Sequence, residues 1–224
     1  MGTRHLICVF YRGRFVIAQY GQFDGNPENQ GFKVVAFLNG ASNIARLKQG
    51  LTHTYTPSDE EIDEIGRAMV KQDEEHRDAV RNGEVGMWEQ VKLSCPSMSR
   101  ETSAEILEVV AKTTAEAPVP IVHELEFIHD GLYCEWAYVV DLDAEVLEVY
   151  REVERGHEGS SQRFKDVDGA GMGLVPSLVK AFAFGELPKE NVDFVAAINE
   201  ALDSLRREIL AREGREDAGN NAVA

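Results

Sequence analysis

The chain has 224 residues, 43% of them hydrophobic and 28% charged, and its 39 acidic residues outnumber its 23 basic ones to give a net charge of −16. This composition is that of a globular protein, so disordered and fibrous classes are excluded. A surface this negative repels phosphate backbones, and we therefore expect no non-specific binding of nucleic acid. No apolar run reaches the roughly 18 residues of a membrane-spanning helix, so no membrane association is expected either.

The cysteines and the N-terminal segment bear on the compartment. Cys8, Cys95 and Cys134 are odd in number and widely spaced, which favours neither a disulfide framework nor a zinc site. The short apolar run 6–11 is followed by charges rather than by a signal-peptide cleavage site. We predict a cytoplasmic protein in a reducing setting, with a small-molecule substrate as its partner and with no metal or other cofactor. The oligomeric state is left open.

The N-terminal residues predict a β-hairpin. The runs 5–11 and 14–23 are rich in β-branched and aromatic side chains, and they are separated by Arg12-Gly13, a short hairpin connection. Both runs are apolar on both faces, which is typical of central strands that are covered on each side.

Helices are predicted next along the chain. Segments 31–39 and 42–49 have buried helical character and end at glycines. A capping box of Ser58 with Glu61 begins a long helix whose C-terminal half is almost entirely charged and is expected to face solvent. A further helix is predicted after Ser103.

The second half of the chain predicts more strands and then helices. Three strands forming a meander are expected over 123–129, 132–143 and 146–153, followed by a loop over 154–173 and by helices over 174–184 and 189–212. This order of elements predicts the α+β class, with one antiparallel sheet or a pair of sheets flanked by helices, the pair giving an αββα sandwich. We predict a single domain over 1–212 and a disordered tail over 213–224.

A polar row in the second predicted strand suggests a site. Strand alternation places Tyr20, Gln22 and Asp24 on one face, where the strand leads toward a helix N-terminus and a ligand could bind. The alternative is a turn, because Asp24-Gly25 and Asn26-Pro27 are turn dipeptides whose side chains can cap the backbone. Tyr20 and Gln22 precede the turn and are not explained by it.

The strand around Glu135 provides the second group of candidates. A carboxylate within an apolar and aromatic run is costly unless it is paired or hydrogen-bonded. Glu135 could act as a general acid or base with a raised pKa, or it could bind a cationic group. The alternative is a glutamate that faces solvent or pairs with an arginine. We include the neighbouring Trp136 among the substrate-binding candidates. Asp141 and Asp143 are interpreted as turn formers, and the glycine-rich 169–173 lacks the dinucleotide fingerprint.

Two motifs carry a resemblance to known sequences. The chain begins MGTRHLICVF, continues with AQYGQFDGNP at 18–27, and has CEWAYVVDLDAEVLEVY at 134–150. These segments resemble a poorly characterised family of small proteins from fungal genomes and phages, with no established activity, in which Tyr often stands at the position of Asn26. The resemblance implies that the two segments belong together.

The order of elements is also similar, at the level of fold, to the N-terminal-nucleophile hydrolases, which open on a strand and place two antiparallel sheets between helices. Their nucleophile does not carry over, because removal of Met1 would expose Gly2, and Thr3 would be the neighbour of the new amine. The resemblance leaves room for an enzyme that uses the same cleft with Arg4, Tyr20, Asp24 and Glu135.

The sequence therefore predicts an enzyme acting on an amide, ester or aminoacyl bond of a small polar or cationic substrate, by hydrolysis or by acyl or aminoacyl transfer. Glu135 and Asp24 would be catalytic, and Arg4 would hold an anionic group or oxyanion. Substrate binding is assigned to Arg4 together with Tyr20, Gln22 and Trp136. The alternatives are a non-catalytic module that binds a small molecule or peptide, and an interaction scaffold in which the polar rows are satisfied structure.

Overall fold

A computed structural model describes residues 2–86, 93–151, 162–167 and 176–220, with side chains in the last range described to residue 208. The strands are β1 (His5–Tyr11), β2 (Arg14–Gly21), β3 (Thr54–Tyr55), β4 (Val119–Pro120), β5 (Trp136–Asp141), β6 (Val146–Arg151) and β7 (Ser177–Ala183). The α-helices are α1 (Phe32–Leu38), α2 (Asn43–Gly50), α3 (Asp59–Arg81), α4 (Ile106–Ala111) and α5 (Asn191–Asn220). Within these ranges, no helix combines the length and apolarity needed to cross a membrane.

A five-stranded sheet in the order β2-β1-β5-β6-β7 forms the centre of the molecule, and β3 and β4 form a small second sheet. β1 and β5 are parallel, and the other neighbours in the large sheet are antiparallel. This arrangement confirms the α+β class. The predicted alternative of two stacked sheets is not found among the described residues, because one sheet receives the strands of both halves of the chain.

The sheet has two apolar faces that different elements cover. The helix face packs against α1, α2, α4 and α5, and its buried strand residues include Ile7, Ile17 and Tyr138. The loop face packs against the segments 125–134 and 162–167, and its buried strand residues include Leu6, Ala18 and Val139. The core is therefore divided by the sheet, and neighbouring residues of one strand contribute to opposite halves of it.

The first hairpin and the early helices are confirmed. The hairpin turns at Arg12 and Gly13, which both have positive φ, and Asp143 of the β5–β6 connection accepts hydrogen bonds from both of their backbone N–H groups. Ser58 caps α3 by accepting a hydrogen bond from Glu61 N, whereas the carboxylate of Glu61 accepts one from the hydroxyl of Tyr55. No residue of α3 is buried, which confirms the prediction that its C-terminal half faces solvent and extends it to the whole helix.

The prediction that both strands of this hairpin are central is wrong for β2, which is the edge strand. The backbone of β2 on that edge bonds to irregular chain: Tyr20 N donates to the carboxylate of Glu124 at 3.0 Å, and Glu124 N donates to Ala18 O at 3.0 Å. These contacts cover the edge, which explains why β2 has the apolar character of an interior strand.

The predicted meander is wrong in its first member. Segment 123–129 does not form a strand. Leu125–His129 is a 3-10 helix that packs against the loop face of the sheet with Ile128 buried. The predicted meander paired this segment with β5, whereas in the structure β1 pairs with β5 at that position. The β5–β6 hairpin itself is confirmed. Apolar residues at alternating positions indicated a strand here, but they serve to cover a sheet rather than to extend it.

The prediction of a helix over 174–184 is also wrong. Ser177–Ala183 is strand β7, which pairs with β6 and places Phe182 in the core while Leu178 is partly exposed. The final helix is found, as α5, and it continues to Asn220 through part of the segment for which a tail is predicted. Most of the predicted loop 154–173, including the glycine-rich 169–173, lies outside the described residues.

Candidate functional site

One end of the large sheet brings together segments that are far apart in the sequence. β1 and β5 begin at this end and β2 finishes there, with His5 opposite both Gly21 and Trp136. One residue beyond this row, at the same end, are three polar residues that we call the strand-end group: Arg4, Gln22 and Glu135. A hydrogen bond of 3.1 Å from Glu135 N to Arg4 O extends the pairing of β1 and β5 to this position.

The two charged members of the strand-end group are not neutralised within the described chain. The guanidinium of Arg4 lies 4.3 Å from the ring centroid of Tyr133, a cation–π contact, and it forms no ion pair with a described carboxylate. The carboxylate of Glu135 is half-buried, and no described side chain or backbone group bonds to it. A cation and an anion are therefore both available to a ligand at one end of the sheet.

Gln22 contributes an unsatisfied hydrogen-bond acceptor at this end of the sheet. Its backbone N–H donates to Arg100 O at 3.3 Å, whereas its side-chain Oε1 is enclosed and has no hydrogen-bond partner in the described structure. An enclosed amide oxygen without a donor is costly in a folded protein. Such an atom is explained if a ligand or a bound water supplies the donor.

The remaining predicted residues are divided between the two faces. Tyr20 is on the loop face, where its ring meets Phe127 edge-on with the centroids 4.8 Å apart. Trp136 is on the helix face, 7% exposed, and stacks on Tyr138. The structure does not bring these two side chains together, because their register places them on opposite sides of the sheet.

Asp24 lies in the turn that closes the end of the sheet. It is exposed and has a positive φ of 57°, and its carbonyl accepts a hydrogen bond from Gln30 N. The following Gly25 is fixed from two sides, by Thr3 O as acceptor at 3.0 Å and by the hydroxyl of Tyr138 as donor at 2.8 Å. The turn that the sequence predicted is thus held against the start of β1.

Beneath this turn lies His5, a residue that the sequence predictions passed over as part of an apolar strand. Its ring is completely buried, and burial lowers its pKa from 6.5 to about 4, against the raising effects of Thr3 O and the Asp24 carboxylate. Nδ1 lies 3.5 Å from Thr3 O, and Nε2 has no hydrogen-bond partner. The imidazole is therefore neutral at pH 7 and has an unused nitrogen.

Ser103 adjoins His5 on the helix face. A Cβ atom added to Gly21 would overlap the Nε2 atom of His5 and would lie 2.6 Å from Ser103 Oγ. The serine hydroxyl and the unused imidazole nitrogen therefore both lie near the missing side chain of Gly21, although no hydrogen bond joins them. Ser103 has a positive φ of 47°, which is uncommon for a residue other than glycine. Its only signal in the sequence was that of a helix start.

A second charged cluster lies farther along the loop face. Arg163 forms ion pairs with Asp141 at 2.7 Å and with Glu148 at 2.6 Å, and the hydroxyl of Tyr150 donates to Glu148. Asp141 also accepts hydrogen bonds from the backbone of the β5–β6 turn, as predicted for a turn former. The charges in this cluster are paired with one another, which is the pattern of a structural network rather than of a ligand site.

Neither thiol nor metal chemistry is indicated by the described residues. Burial raises the pKa of Cys8 to about 12, so its thiol is protonated and unreactive at neutral pH. Across the described ranges, no three His, Cys, Asp or Glu side chains form a group that could hold a metal ion.

Comparison with known proteins gives no further guide to the site. No family model matches the chain, and no match is found among the curated proteins or the solved structures.

Proposed function

We propose that this protein is an enzyme acting on an amide, ester or aminoacyl bond of a small polar substrate that binds at the strand-end group. The proposal is carried by one observation: Arg4 and Glu135 lie side by side at the end of adjacent strands, and neither charge has a partner of opposite sign among the described residues. Unpaired charges in a partly buried position favour a ligand that supplies the counter-charges.

The charges of Arg4 and Glu135 indicate which chemical groups the substrate carries. Arg4 would bind an anionic group, with its guanidinium kept in place by the ring of Tyr133. Glu135 would bind a cationic group, and the free Oε1 of Gln22 would accept a hydrogen bond from an amide or ammonium. A molecule with both an anionic and a cationic group, such as an amino-acid derivative, fits this arrangement.

This assignment alters the roles predicted for two residues. Glu135 is given a binding role here, although a proton-transfer role was the first prediction from sequence. Trp136 is not included in the substrate site, because it lies on the helix face under Arg151 and beside Tyr138. A reducing, cytoplasmic location is part of the proposal, since the buried Cys8 remains a thiol in the described structure.

The test is a screen of amino-acid esters, amides and short peptides for turnover, with thermal shift to detect binding. For a compound that is turned over, Glu135→Gln should raise KM by at least about tenfold and change kcat little, because a charge–charge contact to the bound group is lost. Arg4→Met should have the same effect. Glu186→Gln, which changes an exposed glutamate elsewhere, should leave both constants unchanged.

Other results of the turnover and binding assays would contradict part or all of the proposal. A fall in kcat at unchanged KM in Glu135→Gln would contradict the binding role and support proton transfer by this carboxylate. Compounds that raise the melting temperature but are never turned over would indicate a binding module. If no compound is turned over or bound, the enzyme proposal fails.

A further inference from the structure

We propose that Ser103 is the nucleophile of this enzyme and His5 its general base, so that the reaction passes through an acyl group on Ser103. The inference rests on the proposed function, because it names the reacting groups for the same bond cleavage. Neither residue was a candidate from the sequence, and His5 Nε2 is a completely buried nitrogen without a partner in the described structure.

His5 and Ser103 both approach Gly21 of β2. A Cβ atom on Gly21 would lie 2.3 Å from His5 Nε2 and 2.6 Å from Ser103 Oγ, so the imidazole nitrogen and the serine hydroxyl are both close to the position of the missing side chain. Gly25 is close to the opposite ring nitrogen, because an added Cβ there would be 2.6 Å from His5 Nδ1. The absence of side chains at these two glycines therefore makes room for the imidazole at this position.

The imidazole of His5 is held in one tautomer. Thr3 O can only accept a hydrogen bond, so the contact at 3.5 Å places the proton of the neutral ring on Nδ1. Nε2 then carries a lone pair, which is the form that accepts a proton from a serine hydroxyl. Burial disfavours the imidazolium that this transfer would produce, and the contact with Thr3 O and the carboxylate of Asp24 partly offset that effect.

The backbone of Ser103 is in the left-handed conformation. This conformation costs free energy for a residue other than glycine, and such strain persists where the surrounding structure imposes it. Here the next residue is fixed by a hydrogen bond from Ala104 N to Gln30 Oε1 at 3.3 Å. The hydroxyl of Ser103 itself makes no hydrogen bond to the described chain.

The reaction is balanced with these two groups and water. Ser103 Oγ attacks the carbonyl carbon while its proton passes to His5 Nε2, and the bond to the leaving amine or alcohol breaks as that group takes the proton from Nε2. Water then attacks the acyl carbon and gives a proton to Nε2, and the bond between that carbon and Ser103 Oγ breaks as Oγ takes the proton from Nε2, which releases the acid and restores both residues. A second amine or alcohol in place of water would give acyl transfer.

Access to the pair requires movement. His5 is enclosed and Ser103 is 2% exposed, and the turn over residues 22–26 covers the ring. The strand-end group borders this turn, because Gln22 begins it and Arg4 precedes His5 in β1. By strand alternation the side chains of the strand-end group project to the loop face, whereas His5 and Ser103 are on the helix face. A substrate bound at the strand-end group therefore has to reach the pair around the end of the sheet, at the turn that has to move. We expect small reagents to react with Ser103 slowly, over hours rather than seconds.

The experiment is labelling of the full chain with a small alkyl fluorophosphonate, read by intact mass and by mapping of the modified peptide. Wild-type protein should gain one adduct, on Ser103. Ser103→Gly should gain none while remaining folded, because glycine accepts the positive φ. His5→Gln should label at least about 100-fold more slowly. Ser97→Ala, which removes an equally buried serine of the preceding loop, should label as wild type.

Three outcomes would overturn the inference: no adduct on wild-type protein after prolonged incubation, an adduct on another serine, or labelling that is unaffected in His5→Gln. The proposed function is tested separately by turnover. If Ser103→Gly still turns over a compound whose KM depends on Arg4 and Glu135, the nucleophile assignment fails and the proposed function stands. If Ser103 is labelled and no compound is turned over or bound, the reactive pair stands and the proposed function fails.

Discussion

Glu135 donates its backbone N–H to the carbonyl of Arg4, yet the side chains of these two residues form no ion pair with each other or with any described neighbour. Opposite charges that are adjacent in a sheet and remain unpaired are unusual in a stable core region, because partly buried charges are normally matched. The lack of an ion pair at Arg4 and Glu135 affects the stability of the protein as well as ligand binding.

Replacing Glu135 with Gln should not weaken the protein. The half-buried carboxylate loses hydration without gaining a partner, so its removal is expected to leave the free energy of unfolding unchanged or to raise it by about 0.5–1 kcal/mol. Urea unfolding of the variant and of Glu186→Gln would measure this. A loss of more than about 1 kcal/mol would show that Glu135 has a stabilising partner and would weaken the case for a ligand site.

Gly21→Ala should be strongly destabilising. The added methyl group would collide with the His5 ring and with Ser103 Oγ, in a region where neither can move freely, and we expect a loss of about 2–3 kcal/mol. Gly66→Ala is the matched control, because Gly66 lies in α3 and an added Cβ there meets nothing. That change should stabilise the protein by up to about 1 kcal/mol through helix propensity. Thermal and urea unfolding would distinguish the two.

The stability of the protein should fall in mild acid because of His5. Its pKa is about 4 in the folded chain and 6.5 when unfolded, so the unfolded state binds more protons between these values. The stabilisation is fully present above pH 6.5 and decreases as the pH falls toward 4, by about 3 kcal/mol in total. Urea unfolding of wild type and His5→Gln at pH 7, 5.5 and 4.5 would show it as a loss that the variant lacks. Parallel curves for the two proteins would contradict the assigned pKa.

Ser103→Gly should stabilise the fold while abolishing the reactivity proposed above. Relief of the positive φ is worth about 1 kcal/mol, reduced by the greater freedom of glycine in the unfolded chain. The measurement is the melting temperature, with Ser97→Ala as the control for loss of a buried hydroxyl. A drop in melting temperature for Ser103→Gly would mean that the hydroxyl has a structural partner.

Arg163→Met should test the cluster on the loop face. Removing the guanidinium would leave the carboxylates of Asp141 and Glu148 buried without their partner, at a cost of about 3–5 kcal/mol. Arg67→Met, on the exposed surface of α3, should change stability by less than about 0.5 kcal/mol. Turnover per folded molecule should be unaffected by Arg163→Met, since this cluster is not part of the proposed site.

The sequence by itself determined the elements that depend on neighbouring residues. The hairpin at Arg12-Gly13, the start of α3 at Ser58 and the ends of α1 and α2 follow from turn glycines, capping and helical periodicity, which act within a few residues. Alternation along β2 correctly separated Ile17 from Ala18, because a strand places successive side chains on opposite faces. The same alternation identified Gln22 as a candidate, whereas Glu135 was predicted from a carboxylate in an apolar run and Arg4 from a cleft shared with it in the fold resemblance.

The tertiary structure decided which strands are neighbours and therefore what meets at the end of the sheet. Parallel pairing of β1 with β5 is a long-range choice that no local pattern encodes, and it alone places Glu135 beside Arg4 and moves segment 123–129 out of the sheet. The same holds for β7, whose short apolar run fits a helix or a strand until β6 offers a partner. The approach of Ser103 to His5 depends on the packing of the loop before α4 onto β2, so it became visible only in three dimensions.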